Sequence, residues 1–248
     1  MDFTFHKLTH IFSLFLLLCS LVMVIGLPII QYFEPLPTAS TIGNLPGSFQ
    51  MIFEIFVVLF SLLFVFGLFM IIPMVWYFLV NHLRLREMMH QVNLHFGKID
   101  RLILWGVIAA VGGLAISFGI DMILIQLGFD LTNASNIPAL EQLFSLPTLL
   151  ILVTVQPIAE EFFFRGFLFD KIKGFAGGTI AVIATGVMFG IAHLSYGMIY
   201  TAFMATLLGI WFGVIVLKTK NLTITIIGHI LLNVTGIALY LFGKSLGI

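Results

Sequence analysis

The feature that most constrains this chain is a series of seven apolar runs, each long enough to form a helix that crosses a lipid bilayer. A hydrocarbon core about 30 Å thick requires about 20 apolar residues in a helix. Only 9% of the 248 residues are charged, whereas soluble domains carry roughly 25%. The runs are continuous, while a transmembrane barrel would show short alternating segments. The sequence therefore predicts an all-α fold, a polytopic transmembrane helical bundle of about seven spans.

The predicted spans alternate with short polar connections. Basic residues cluster in the connections after the second, fourth and sixth spans, which is typical of cytoplasmic loops. The loops 31–50 and 130–146 contain no Lys or Arg and are predicted to lie on the other side. We therefore expect a cytoplasmic N-terminus and a non-cytoplasmic C-terminus, with Lys244 as the one exception. The predicted spans are residues 8–30, 51–80, 102–129, 147–170, 177–194, 199–217 and 222–242.

The chain is predicted to be one transmembrane domain over residues 1–248. Residues 147–242 hold the chemistry, and residues 1–146 form three less specific spans. The formal net charge is +0, and no polybasic or acidic tail indicates a nucleic-acid partner. The single cysteine, Cys19, excludes an intrachain disulfide and a cysteine-based metal site. The first run is longer than a typical signal-peptide core, so we interpret it as a retained anchor.

An acidic stretch interrupts the fourth run. It reads Q-P-I-A-E-E-F-F-F-R-G from Gln156 to Gly166, and an ionised side chain at membrane depth costs at least about 2.5 kcal/mol. On a helix, Glu161 and Arg165 lie four residues apart and share a face, so they can form an ion pair. Glu160 is rotated about 100° away and has no obvious local partner. We expect Glu160 to be the reactive group; a purely structural ion-pair network between helices is the alternative.

Two further pairs follow at helical spacing. Phe189 and His193 lie four residues apart in the fifth run, and His229 and Asn233 do so in the seventh. Counting 1.5 Å per residue places Glu160 and both histidines roughly 12 to 21 Å from the nearest cytoplasmic boundary. We therefore predict that they meet in a hydrated pocket toward the cytoplasmic half of the bilayer, since charged groups do not face lipid.

Such a pocket suits hydrolysis. A carboxylate can take a proton from water and return it to a leaving amine. An imidazole can hold that water, and a second histidine with an Asn amide can donate hydrogen bonds to the oxyanion that develops on the attacked carbonyl. Each residue type in the three pairs has a use in this scheme.

The three motifs E-E-x-x-x-R, F-x-x-x-H and H-x-x-x-N, in this order on late membrane helices, resemble those of the CPBP family. This family includes the CAAX-processing type II prenyl endopeptidases and the Abi, or bacteriocin-immunity, proteins. The resemblance covers residues 147–233. It implies that Glu160 and His193 activate water, and that His229 and Asn233 stabilise the oxyanion. It also implies that Glu161 and Arg165 brace the site as an ion pair, with Phe189 packed beside His193.

The resemblance leaves the cofactor open. Members of the family are often labelled metalloproteases, and Glu160, His193 and His229 would be the ligands if zinc were bound. The chain has no H-E-x-x-H spacing to support a zinc site, so a metal-independent glutamate mechanism is favoured.

Three functions remain after the motifs are weighed. The first is an intramembrane endopeptidase acting on a membrane-embedded or lipidated peptide, prenylated or not. The second is a nonproteolytic membrane scaffold or bacteriocin-immunity factor. A small-molecule transporter is the third, although the paired repeats and broken helices of transporters are missing from the sequence. The sequence does not indicate an oligomeric state.

Overall fold

The computed structural model describes residues 3–34, 47–131 and 137–247, so the predicted loops 31–50 and 130–146 lie partly outside the described residues. The described part of the chain contains helices and no strand, and seven of its helices are long and apolar enough to cross a membrane. The predicted all-α bundle of seven spans is therefore confirmed. The helices are α1 (Leu8–Phe33), α2 (Phe49–Leu79), α3 (Leu85–Gln91), α4 (Ile99–Gln126), α5 (Ile137–Leu143), α6 (Leu146–Ala176), α7 (Gly178–Ser195), α8 (Ile199–Thr219) and α9 (Leu222–Leu246).

The predicted boundaries differ from these by a few residues at most ends. The largest difference is in α6, which continues through Asp170, Lys171 and Lys173 to Ala176. Asp170 accepts hydrogen bonds from Tyr77 Oη at 2.9 Å and from the Gln91 side chain at 2.7 Å. These contacts hold the polar end of α6 against α2 and α3, so the helix does not stop where its apolar run ends.

The two ends of the bundle differ in charge. One end, called the basic end here, carries nine of the eleven Lys and Arg residues. The opposite end, called the α5 end, carries Lys244 alone among the cations, and Arg165 lies inside the bundle. The residues of the basic end are Lys7, Arg84, Arg86, Lys98, Arg101, Lys171, Lys173, Lys218 and Lys220.

Wide turns interrupt three of the long helices, and each lies near a proline. A proline has no N–H and its ring clashes with the carbonyl four residues earlier, so the preceding turn opens. Wide turns with i to i+5 spacing lie just before Pro28 in α1, at Val22–Gly26, and before Pro73 in α2, at Gly67–Ile71. A third wide turn, Phe162–Leu168, follows Pro157 in α6 directly after the two glutamates.

Glycines let α7 and α8 pack almost backbone to backbone. A Cβ on Gly190 would lie 1.8 Å from Thr206 Oγ1 and 2.6 Å from the Ala202 carbonyl oxygen, and a Cβ on Gly209 would lie 2.9 Å from Gly186 Cα. Small residues at such positions allow close helix contact in membranes, where apolar burial gives little driving force. The α7–α8 pair therefore forms a tight hairpin.

A block of buried aromatic rings fills the bundle between the acidic stretch and the basic end. The ring of Phe163 stacks on Phe69 with centroids 5.0 Å apart, and Phe167 packs edge-on against Tyr77 at 5.3 Å. The five phenylalanines of this aromatic block are at most 2% exposed: Phe162, Phe163, Phe164, Phe167 and Phe169.

Candidate active site

Three helices bring all seven predicted site residues into one cluster. Helix α6 supplies Glu160, Glu161 and Arg165, α7 supplies Phe189 and His193, and α9 supplies His229 and Asn233. The ring of His229 lies between the two glutamates. Its Nδ1 is 3.0 Å from Glu161 Oε1, and its Nε2 is 3.9 Å from Glu160 Oε2.

The two glutamates are adjacent in sequence but occupy different environments. Glu161 is fully buried, and its Oε1 accepts hydrogen bonds from Arg165 Nη1 at 2.9 Å and from His229 Nδ1 at 3.0 Å. The Glu160 side chain is 20% exposed and lines a cavity. The Glu161 carboxylate is therefore hydrogen-bonded to Arg165 and His229, whereas the Glu160 carboxylate faces the cavity, where a ligand could bind.

Arg165 is held by an aromatic surface as well as by Glu161. Its guanidinium carbon lies 4.1 Å from the centroid of the Phe189 ring, a cation–π distance. Nη2 packs against the bare backbone of Gly209, where a Cβ would lie only 3.1 Å away. The ring of Phe189 also lies 4.4 Å from the His193 ring and 5.8 Å from the His229 ring. Phe189 thus lies among the ion pair and both histidines.

His193 occupies the last turn of α7, just before the tight turn at Gly197, whose φ is +73°. Its Nδ1 lies 2.8 Å from the Phe189 carbonyl oxygen. A carbonyl oxygen only accepts, so Nδ1 carries the proton, and in the neutral ring Nε2 is then an acceptor. That orientation suits a group that holds a water molecule by accepting one of its protons.

Asn233 is placed by a proline on another helix. Pro157 has no N–H, so the carbonyl four residues earlier in α6, that of Val153, lacks its usual helical donor. The Asn233 Nδ2 donates to this Val153 oxygen at 3.5 Å. The same amide lines the cavity with Glu160, so the break in the α6 backbone bonding positions a side chain of α9.

The cavity beside Glu160 has a volume of about 690 Å³. This lies within the range of about 300 to 1,000 Å³ that is typical of ligand pockets. Its walls are largely apolar, and it extends from the cluster past Asp121 and Tyr200 to Ile137 and Leu140 of α5. The Tyr200 hydroxyl donates a hydrogen bond to the Asp121 carboxylate, which joins α8 to α4 at this level.

Three contributors to the site were not among the predicted residues. Phe212 of α8 stacks on His229 with ring centroids 5.5 Å apart, Gly209 makes room for Arg165, and Pro157 frees the Val153 carbonyl. Pro157 lay inside the acidic stretch, and its missing N–H was the available signal. Gly209 and Phe212 lie in the apolar run of the sixth predicted span, which carries none of the three motifs.

The candidate zinc ligands Glu160, His193 and His229 are not arranged as a metal site. Within the described ranges, no group of three or more His, Cys, Asp or Glu side chains could hold a metal ion. The Nδ1 atoms of His229 and His193 are hydrogen-bonded to Glu161 and to a backbone carbonyl, which leaves the Nε2 atom of each ring for other contacts. No step of the mechanism below is routed through a metal ion.

Comparison with known proteins identifies the part of the chain that carries the cluster. The family model described as type II CAAX prenyl endopeptidase Rce1-like matches residues 142–235, a segment that contains all seven residues of the cluster. Searches of curated proteins and of solved structures return no significant match. Residues 142–235 are therefore similar to the CAAX-type prenyl endopeptidase family that the sequence motifs resemble.

Proposed function

We propose that this multi-pass membrane protein is an intramembrane endopeptidase in which Glu160 activates water. One observation carries the proposal: of the two adjacent glutamates, Glu160 faces the cavity while lying 3.9 Å from His229. The family match supports peptidase activity in general. The assignment of catalytic roles rests on the geometry of the cluster.

The reaction begins with a water molecule held between Glu160 and His193. Glu160 takes one proton from the water, and the resulting hydroxide attacks the carbonyl carbon of the scissile peptide bond. The carbonyl π electrons move to oxygen and form an oxyanion. When the tetrahedral intermediate collapses, the C–N bond breaks and Glu160 returns its proton to the leaving amine. Atoms and charges balance without a further reactant.

His229 and Asn233 are the proposed oxyanion donors. His229 already donates Nδ1–H to the buried Glu161 carboxylate, so it donates from Nε2 when the ring carries both protons. One N–H of the Asn233 amide binds the Val153 carbonyl, which leaves its second N–H to donate into the cavity. Preorganised donors of this kind typically contribute about 10² to 10³ in rate each.

The orientation in the membrane is also a proposal. Placing the basic end in the cytoplasm puts the N-terminus inside and the C-terminus outside. His229 then lies seven residues beyond Leu222, about 10 Å from that end at 1.5 Å per residue. This depth supports an active site toward the cytoplasmic half of the bilayer. The substrate is a membrane-associated peptide, and the family leaves open whether that peptide is prenylated.

The decisive experiment replaces Glu160 with glutamine in the purified full-length protein. Turnover of membrane-embedded apolar peptides, followed by mass spectrometry, should fall at least about 100-fold, because the general base is lost. The His193→Ala variant should fall similarly. The control is Glu54→Gln, which alters a carboxylate on another span that binds Ser145 outside the cluster and should keep near-normal turnover.

Retained turnover in Glu160→Gln, with an unchanged melting temperature, would contradict the proposed mechanism. Absence of cleavage by the wild-type protein across the peptide set would favour the scaffold or immunity function instead. A chelator added to the wild-type assay tests the cofactor separately. We expect unchanged turnover, and a loss restored by zinc would overturn the metal-independent scheme.

A further inference from the structure

The shape of the cavity indicates from which side a substrate arrives. Its described lining residues come from the middle of the bundle and from the α5 end, and none of them belongs to the basic end. The lining reaches Leu131, Ile137 and Leu140, which lie beyond the spanning helices. The cavity therefore runs from Glu160 to the α5 end.

The aromatic block closes the opposite direction. Phe163 and Phe167 follow Glu160 in α6 toward the basic end, and both are 0% exposed. Val92 and Leu222 continue this packing at the basic end, where both are also 0% exposed. No ionisable group interrupts the five phenylalanines except Arg165, which is itself fully buried against Glu161. A peptide or a water molecule would have to displace this packing to reach Glu160 from the basic end.

Polar side chains line the cavity on the α5 side, and from them we infer that this part of the cavity contains water. Asp121 lies within the span α4, and the Tyr200 hydroxyl donates to it at the cavity wall. Ser117 and Gln156 line the same space. An ionisable residue at membrane depth is tolerated where it faces a water-filled cavity and a polar partner. These residues provide a wet path between the α5 end and the catalytic cluster.

The helix lengths explain why the described helices leave space there. Helices α7 and α8 have 18 and 21 residues, whereas α4 has 28 and α6 has 31. At 1.5 Å per residue, α7 is about 15 Å shorter than α4. The α7–α8 turn, which carries His193 and Gly197, therefore stops short of the α5 end and leaves the cavity above it.

We infer that the substrate reaches Glu160 from the α5 end, the face opposite the basic loops. With the basic end cytoplasmic, that substrate is an apolar peptide segment presented from the non-cytoplasmic surface, such as an exported or membrane-anchored chain. A lipidated C-terminus presented at the cytoplasmic surface would meet the aromatic block. The identity of this substrate rests on the proposed peptidase function, whereas the route itself does not.

Cysteine labelling tests the route without requiring turnover. The only cysteine, Cys19, is first replaced by alanine. Thr201→Cys then places a thiol in the cavity, Ser245→Cys places one at the α5 end outside the cavity, and Lys173→Cys places one at the basic end. A membrane-impermeant maleimide is added to intact cells and to inverted vesicles. We expect Thr201→Cys and Ser245→Cys to react in intact cells, and Lys173→Cys to react only in inverted vesicles.

Labelling of Thr201→Cys and Lys173→Cys from the same side would overturn the inference, as would a Thr201→Cys that reacts from neither side. A second readout uses the peptide assay. Maleimide on Thr201→Cys should abolish turnover by filling the cavity, whereas maleimide on Ser245→Cys should leave turnover unchanged. If the protein cleaves no peptide but the labelling pattern holds, the proposed function fails and the route stands.

Discussion

At the scale of single residues, one position along a helix separates a reactive carboxylate from a structural one. Glu160 and Glu161 have the same chemistry, yet Glu161 is fully buried between Arg165 and His229, while Glu160 reaches the cavity. The 100° rotation between neighbouring helical residues produces this difference. For the same reason, the sequence alone indicated that Glu160 has no partner on its own helix, whereas Glu161 can pair with Arg165.

Arg165 provides a test of the buried pair. Replacing it with alanine leaves the Glu161 carboxylate buried without its main cation, and breaking a buried pair by removing one partner typically costs about 3 to 5 kcal/mol. We expect Arg165→Ala to lower both the melting temperature and the turnover rate. Thermal unfolding in detergent and the peptide assay measure the two effects.

The matched control is Arg86→Ala, which removes an exposed arginine at the basic end and should change neither value appreciably. Arg165→Lys keeps the charge but loses the planar group that lies over Phe189, so we expect an intermediate effect. An unchanged melting temperature in Arg165→Ala would show that Glu161 is stabilised mainly by other partners.

At the scale of helices, defects in regular backbone bonding organise the site. The missing N–H of Pro157 leaves the Val153 carbonyl to the Asn233 side chain. The wide turn Phe162–Leu168 then follows the glutamates, and wide turns of this kind are frequent at functional sites. The sequence predicted that Asn233 belongs to the site. It could not predict how Asn233 is held, because that contact joins residues 80 positions apart.

Pro157→Ala restores an N–H that can bond to the Val153 carbonyl within α6. Because alanine is favoured over proline in a helix interior by about 3 kcal/mol, we expect a melting temperature that is unchanged or higher. Turnover should nevertheless fall roughly 10- to 100-fold, since Asn233 loses its anchor and small misplacements of catalytic groups are costly. Steady-state kinetics should show the loss mainly in kcat.

Pro73→Ala is the matched control, because Pro73 also follows a wide turn but lies in α2 outside the cavity lining and should leave turnover intact. The double variant Pro157→Ala with Asn233→Ala sharpens the test. If Pro157 acts through Asn233, adding Asn233→Ala should cost less in the Pro157→Ala background than in the wild type. Full additivity would contradict this coupling.

The α7–α8 hairpin depends on glycine contacts that a methyl group disrupts. In Gly190→Ala the new Cβ would overlap Thr206 Oγ1 and the backbone of Ala202, so the helices must separate. Overpacking of this kind typically costs about 1 to 3 kcal/mol. We expect a lower melting temperature together with reduced turnover, because His193 lies one turn further along α7.

Gly119→Ala serves as the comparison, since a Cβ on Gly119 of α4 would meet nothing within 4 Å. That variant should retain the wild-type melting temperature. Equal stability of the two alanine variants would mean that the hairpin adjusts without cost, contrary to the close approach seen between α7 and α8.

At the scale of the whole molecule, the number, order and approximate limits of the spans followed from apolar runs and loop charges. These are local properties, and local properties can be read along a chain. The cavity could not be predicted in the same way. Its direction depends on how far the α7–α8 turn stops short of its neighbours and on the packing of Phe163 and Phe167 against α2, which are relations between distant segments.

A group of hydrogen bonds between α5 and α9 provides a test at this scale. Glu141 of α5 accepts hydrogen bonds from Lys244 at 2.7 and 2.8 Å and from Tyr240 at 2.7 Å. These hydrogen bonds hold the pKa of the Glu141 carboxyl below its ordinary value of 4.5. The bonds from Lys244 have the largest effect, and the bond from Tyr240 has the second largest. A carboxyl whose pKa is lower in the folded state stabilises the fold above the ordinary pKa, and this contribution disappears as pH falls through the folded-state pKa.

We therefore expect Glu141→Gln to lower the melting temperature slightly at pH 7, and the difference from wild type to shrink as the pH is lowered below about 4.5. Thermal unfolding at a series of pH values measures this. Glu34→Gln, at the exposed end of α1, controls for the general effect of removing a carboxylate from the surface. A difference that grows on acidification would contradict the assigned direction.

The aromatic block closes the reaction chamber toward the basic end. On the proposed route through the α5 end, both fragments of a cut peptide leave by the path along which the intact chain came, so release of the first fragment competes with binding of the next molecule. This arrangement predicts that cleavage fragments are competitive inhibitors. A compound bound in the cavity should block both substrate binding and product release.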